Sequence, residues 1–211
     1  MSSINNKTMD MLRKRTISPT SRNDILYMFD NKVKIIPFGD LDKYDSLDEL
    51  LEPYMSVIIL YPNPPPNDDI GHWCCIMVNN DGKDKLRFFD SYGCYIDSKI
   101  ADYDSQVRES HKIEPKLLEL IMGSKYYDKD SVYYNDKILQ GEILIVKDPN
   151  PYNGQLISTC GLWCTLRLKN KHMGDDEFYR QFYELPLMLG INPDINLSNM
   201  ICNLFPEMMK V

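Results

Sequence analysis

The chain has 211 residues, 43% hydrophobic and 26% charged, which suits one globular domain with a full core. Twenty-four Lys and Arg against 31 Asp and Glu leave a net charge of −7, which disfavours general electrostatic binding to nucleic acid. No apolar run of about 18 residues predicts a membrane span, and the polar first residues argue against a secretory signal. The six cysteines are therefore expected to be reduced thiols in an intracellular compartment.

In chain order, residues 1–22 carry Lys7, Arg13, Lys14, Arg15 and Arg22 against Asp10. They read as a basic solvated arm, with a short surface helix as the alternative. Residues 23–211 read as a single α+β domain. A capped short helix begins at Ser21, and 33–38 alternate as a strand. Ser46 to Tyr54 is a helix with Glu49 in capping-box position. Ser56 to Tyr61 is a buried strand. The proline-rich run Pro62 to Asp69 is expected to be a stiff loop without regular structure.

His72–Val78 and Lys85–Asp90 are strand-like runs around the turn residues Asn79–Gly82, the pattern of a hairpin. A hairpin symmetric about Asp81 sets His72 directly opposite Asp90 on one face, and a slip of one residue would send them to opposite faces. Ser91–Gly93 is a turn. Residues 97–112 read as loop or irregular helix, Glu114–Ser124 as a helix, Ser131–Gln140 as strand-like and Glu142–Lys147 as a second β-rich run. Asp148–Gly154 is loop. Asp175–Glu184 forms a helix with Phe178 and Phe182 on one face, broken near Pro186, and Asn196–Leu204 forms another.

Between these lies Asn153–Asn170, which passes from turn residues into a helical pattern with Cys160 at the switch. Thr159 or Ser158 serves as N-cap. In the first helical turn, unpaired N–H groups and the positive end of the dipole favour a negatively charged sulfur. Gly161, lacking a side chain, is expected to leave the approach to that sulfur open. A lone cysteine at such a place is ordinarily a buried apolar residue, so its partners decide its meaning. Nucleophilic cysteine catalysis requires an imidazole to pair with the thiolate, a group that orients the imidazole, and donors for the oxyanion. The chain offers His72, Asp90 and the N–H of Cys160 or Gly161. Cys160, Cys164 and His172 have no matching CxxC-type knuckle, so no metal is expected. Cys74 and Cys75 read as core, and no cofactor is implied.

Gly71-His72-Trp73, then Phe88-Phe89-Asp90-Ser91-Tyr92-Gly93, then Thr159-Cys160-Gly161-Leu162-Trp163-Cys164 together resemble the adenovirus-type (adenain-like) processing proteases. These share a cysteine-peptidase clan with the SUMO-specific proteases. The resemblance spans roughly residues 56–170. It implies a central mixed sheet flanked by helices, a papain-like core with the nucleophile at a helix N-terminus, and the roles base for His72, orienting acid for Asp90 and nucleophile for Cys160. It further implies Trp73 as a wall admitting only small side chains, cleavage near glycine and viral structural precursors as polypeptide substrates. The setting it implies is the infected cell or the virion, with the enzyme acting as a monomer. The family's oxyanion glutamine lies six or seven residues before the cysteine. Here Gln155 is five before it, and Gln140 ends a strand-like run twenty before it. Gln140 is preferred, which makes the segment after it, within residues 141–157, an inserted loop; Gln155 remains the alternative. Two other readings stay open: a ubiquitin-like (SUMO-type) deconjugating protease, and an inactive capsid-binding relative.

Overall fold

The computed structural model describes residues 6–67, 70–79, 85–98, 100, 105, 108–109, 114–129, 134–145 and 151–210. The fold is α+β. Four strands, β1 (Lys34–Pro37), β2 (Ser56–Asn67), β3 (Ile70–Asn79) and β4 (Lys85–Asp90), form one mixed open sheet in the order β1-β2-β3-β4. The β1–β2 pair is parallel and the other two pairs are antiparallel.

Strict alternation along the strands divides the core in two. Ile58, Leu60, Trp73, Cys75, Met77 and Phe89 point to one face, under the helix Cys160–Lys169. Val57, Ile59, Cys74, Ile76, Val78, Leu86 and Phe88 point to the other, which is covered by α3 (Leu47–Leu51) and α4 (Lys116–Met122). A sheet buried on both faces has no amphipathic signature, which is why its strands read as continuous apolar runs.

Two capping expectations are refined. The helix α2 (Arg22–Met28) carries a full capping box between Ser21 and Asp24. At α3, Ser46 accepts from the Glu49 N–H at 3.2 Å, but the Glu49 carboxylate turns to the Asp45 N–H at 3.0 Å. Pro62–Asn67 is not a loop: β2 continues through it, with a register shift between Pro62 and Asn67. Proline removes ladder donors, and the irregular pairing is where that loss is tolerated. The described part of Ser131–Gln140 is not a strand; it touches the sheet by one parallel bridge, Phe88 to Tyr134. Residues 68–69, 80–84, 99, 101–104, 106–107, 110–113, 130–133 and 146–150 lie outside the described residues, with most of 97–112 and parts of three expected turns and strands among them.

The N-terminal segment is no arm. Asn6–Ile17 is a helix, α1, with Leu12, Arg15 and Thr16 buried. Thr16 Oγ1 meets Ser198 Oγ at 2.9 Å, and the Ser158 N–H donates to the Thr16 carbonyl at 2.9 Å. The basic residues around Leu12 dilute its apolar stripe, so the sequence reads as solvated while the packed face is narrow.

The helix α5 (Cys160–Lys169) is buried from Cys160 to Leu168, so it is a central helix and not a two-sided one. After it, Asp175–Tyr179 (α6), the π-helical segment Arg180–Glu184 and Leu185–Met188 (α7) run without interruption. Pro186 therefore does not end the helix where the sequence suggested. The widened turn just before it takes up the hydrogen bond that proline cannot make. The last long helix, α8 (Pro193–Leu204), is capped by the Asn192 side chain.

Candidate active site

His72 sits near the start of β3 and Asp90 ends β4, so both lie at the end of the β3–β4 ladder away from the Asn79–Lys85 pair. The register differs from the symmetric expectation by two residues: Cys74, and not His72, lies opposite Asp90. A two-residue shift preserves the face, so His72 meets Asp90 on the diagonal. His72 Nε2 and Asp90 Oδ1 are 2.9 Å apart, with side-chain exposures of 12% and 1%. The approach lies off the N–H direction and Nε2 has no aligned acceptor, so the contact is one of charge more than of a directed hydrogen bond.

Burial opposes a charge on His72, but the contacts with Asp90 and a side-chain bond to Cys160 outweigh it and lift its pKa to about 9. Burial likewise works against the charge of Asp90. His72, the Tyr92 N–H at 2.7 Å and the Cys74 thiol reverse that and hold the carboxyl below its usual range. The site is thus built to keep an imidazolium beside a carboxylate on one side and the Cys160 sulfur on the other.

Cys160 is the first residue of α5, with Thr159 at the N-cap position. The Thr159 side chain does not cap; its hydroxyl donates to Asp194 Oδ1 at 2.6 Å. Nor does Gly161 open a path to the sulfur. A Cβ there would stand 2.7 Å from Thr20 Cβ and 3.0 Å from Trp73 Cδ1. Glycine is required because the chain at Thr20 crosses directly over the helix start. Trp73 is 2% exposed and donates from Nε1 to the Thr20 carbonyl at 2.8 Å. It braces that crossing from inside the core, so the expected role as a substrate wall has no open surface to act on.

The two glutamines are separated clearly. Gln155 is exposed, and its backbone takes part in a short antiparallel excursion: the Leu144 N–H donates to the Gln155 carbonyl at 2.8 Å, and the Ile157 N–H to the Glu142 carbonyl at 2.9 Å. The chain leaves after Gly141 and returns at Ile157, beside its starting point. Gln140 is 2% exposed and lies against the His72 neighbourhood. Its Oε1 accepts from Ser91 Oγ at 2.9 Å, and its Nε2 donates to Tyr92 Oη at 2.8 Å and to the Ile157 carbonyl at 3.1 Å. The structure therefore brings together His72, Asp90, Cys160 and, through Tyr92, Gln140. It leaves Gln155 outside and Trp73 in the core.

No family profile matches the chain, and neither does any solved structure. Over 175 residues, 82% of this chain and 89% of the relative, it is 34% identical to uncharacterized protein V9 of Sputnik virophage. The chain belongs to the family of that virophage V9 protein.

Several residues of this V9-family site carry no motif of their own. Cys74 donates to Asp90 Oδ2 at 3.3 Å, and burial raises its pKa well above that of an ordinary thiol, so it stays an S–H donor. Its place two residues from His72 on one strand face is the only sequence signal it offers. His72, Cys74 and Asp90 bring one nitrogen, one sulfur and one oxygen within 4.8 Å of one another, a donor set of the kind that zinc accepts. The Asp90 carboxylate already accepts from the Cys74 thiol and the Tyr92 N–H and pairs with His72, and no metal step is derived from the set. Asn135 clamps the Asp90 backbone in both directions, accepting from its N–H at 2.8 Å and donating to its carbonyl at 2.7 Å. Asp194, 2% exposed, accepts from Thr159, from Trp163 Nε1 at 2.9 Å and from the Gly141 N–H at 3.0 Å. It ties the start of the Cys160 helix to the residue after Gln140. Among the described residues, no helix is long and apolar enough to cross a membrane.

Proposed function

We propose that this V9-family protein is a cysteine endopeptidase with an adenain-like core, hydrolysing peptide bonds through a thioester. The observation that carries this reading is His72, bonded to Cys160 on one side and paired with Asp90 at 2.9 Å on the other, with a pKa lifted to about 9. That arrangement suits a thiolate–imidazolium pair. Cys160 Sγ attacks the scissile carbonyl carbon, forming the S–C bond while the carbonyl π pair moves to oxygen. The first-turn N–H groups of α5 supply oxyanion donors. The tetrahedral intermediate collapses, and the leaving amine takes a proton from His72. His72, now neutral, removes a proton from water, whose attack releases the acid and restores the thiol pair.

The resemblance of the three motifs and the virophage relative support viral structural precursors as substrates, with maturation in an infected cell or a virion as the setting. Cleavage near glycine belongs to the same reading.

The test is activity against a peptide library containing glycine-rich sites. Cys160→Ala and His72→Ala should each remove detectable turnover while leaving the circular dichroism spectrum unchanged. Asp90→Asn should reduce turnover less than either. Full activity in Cys160→Ala together with its loss in Cys164→Ala would assign the nucleophile elsewhere.

A further inference from the structure

His72 engages only one of the two Asp90 carboxylate oxygens. Oδ1 pairs with His72 Nε2 at 2.9 Å and accepts from the Tyr92 N–H at 2.7 Å. Oδ2 accepts from the Cys74 thiol at 3.3 Å. The Asp90 side chain is 1% exposed, so bulk water does not serve Oδ2. The strand register puts the thiol there. Cys74, and not His72, lies directly opposite Asp90, and Ile59 stands on its other side. The three share one sheet face, and Cys74 and Ile59 are fully buried. Cys74 is thus packed against an apolar neighbour on one side and meets the acid on the other.

We infer that Cys74 is a positioning residue of the candidate site: its thiol holds Asp90 Oδ2 so that Oδ1 stays aimed at His72. This rests on the cysteine-peptidase reading above. The contacts then run from Cys160 through His72 and Asp90 to a second thiol with a different task. Burial keeps the Cys74 thiol protonated, so it donates a hydrogen bond and does not compete as a nucleophile.

What has to be held is a torsion. The last torsion of an aspartate side chain is broad and has little preference of its own. Contacts on Oδ1 alone leave the carboxylate plane free to swing, and the swing carries Oδ1 off His72. A donor on Oδ2 fixes the plane. Asn135 fixes the backbone of the same residue, at 2.8 Å on its N–H and 2.7 Å on its carbonyl. Backbone and side chain of Asp90 are therefore held by separate partners, and only Cys74 acts on the second carboxylate oxygen among the described residues. A cysteine that merely filled space would have no influence on the base at the far side of the acid.

The test follows peptide hydrolysis, and alkylation of Cys160 by iodoacetamide located by mass mapping, in the full chain. Alanine and serine at position 74 remove nearly the same volume, but only serine keeps a donor. Cys74→Ala should lower kcat roughly tenfold with KM unchanged, the low end for a hydrogen bond to a charged group because a thiol donates weakly. Cys74→Ser should restore most of that loss. Cys74→Val fills the space without a donor and gives the same reading should the alanine protein not fold. Cys75→Ala makes the same truncation one residue on, in the cluster on the other sheet face, and should leave kcat near wild type. In an Asp90→Ala background, followed by alkylation, Cys74→Ala should cost nothing further, because nothing is left to aim. Wild-type kcat in Cys74→Ala, equal losses in Cys74→Ala and Cys75→Ala, or a loss undiminished in the Asp90→Ala background overturns the assignment and leaves Cys74 as packing. The peptidase reading is judged apart. If the wild type cleaves no peptide, that reading falls, while alkylation still reports the positioning: slower in Cys74→Ala than in Cys74→Ser upholds it, and equal rates overturn it.

Discussion

At the residue scale, the charge state of His72 is the most sensitive reporter. Its folded pKa of about 9 exceeds the ordinary value of about 6.5. A raised histidine contributes stability that is fully present below about pH 6.5 and is lost as pH rises through about 9. The contribution is at most about 3–4 kcal/mol, since the rise is about 2.5 units and one pKa unit corresponds to about 1.4 kcal/mol. The denaturation midpoint of His72→Gln should therefore fall further below wild type at pH 6 than at pH 10. Equal gaps at the two pH values would show that His72 is not held as an imidazolium. The proposed peptidase activity should decline through about pH 9 on the alkaline side, because a neutral His72 has no proton for the leaving amine. In Cys160→Ala one of the groups that raises this pKa is gone, so the His72 titration, followed by proton NMR, should move down.

At the element scale, the start of the Cys160 helix is held by close approach and not by a side-chain cap. The crossing of Thr20 over Gly161 leaves 2.7 Å to Thr20 Cβ for any added methyl. A β-carbon is fixed to its backbone, so the segment at Thr20 must move as a whole. Alanine would gain up to about 1 kcal/mol of helix propensity, but overpacking costs about 1–3 kcal/mol. Gly161→Ala should lower the melting temperature and slow alkylation of Cys160, whereas an open Gly161 would predict a small rise in stability. The same helix is tied to Trp73 through Cys164, whose thiol donates to the Trp73 carbonyl at 3.2 Å. Trp73 and the Cys160 helix therefore form one packed unit.

At the scale of the whole molecule, Asp194 joins three segments distant in sequence: α8, the start of α5 and the Gly141 turn. Burial raises its pKa while its three donors counter the rise. In Asp194→Asn one carboxylate oxygen becomes an NH2 that cannot accept. Either the Gly141 N–H or the Thr159–Trp163 pair is then left facing a donor. A buried unsatisfied donor costs about 1–3 kcal/mol, and the midpoint in urea should fall accordingly. If the Asp194→Asn midpoint matched wild type, this junction would contribute nothing to holding the site. The N-terminal helix contributes at the same scale, since the Thr16 carbonyl receives the Ser158 N–H two residues before Cys160.

What the sequence determined by itself was local in its physics. Residue parity along β3 and β4 placed His72 and Asp90 on one face, and this survived an error in register because a two-residue shift keeps the face. The change from turn residues to helical pattern placed Cys160 at a helix start, and the Ser21 and Ser46 caps depend on neighbours three residues away. Only the tertiary structure decided the rest. The register itself, the burial of α1, the crossing at Gly161 and the retreat of Trp73 into the core all depend on segments far apart in the chain. So do the burial of Gln140 and the exposure of Gln155, which follow from the return of the chain at Ile157. Buried polar groups such as Gln140, Asn135 and Asp194 must be satisfied by whatever the fold brings next to them. Their roles are set by partners that no local pattern records.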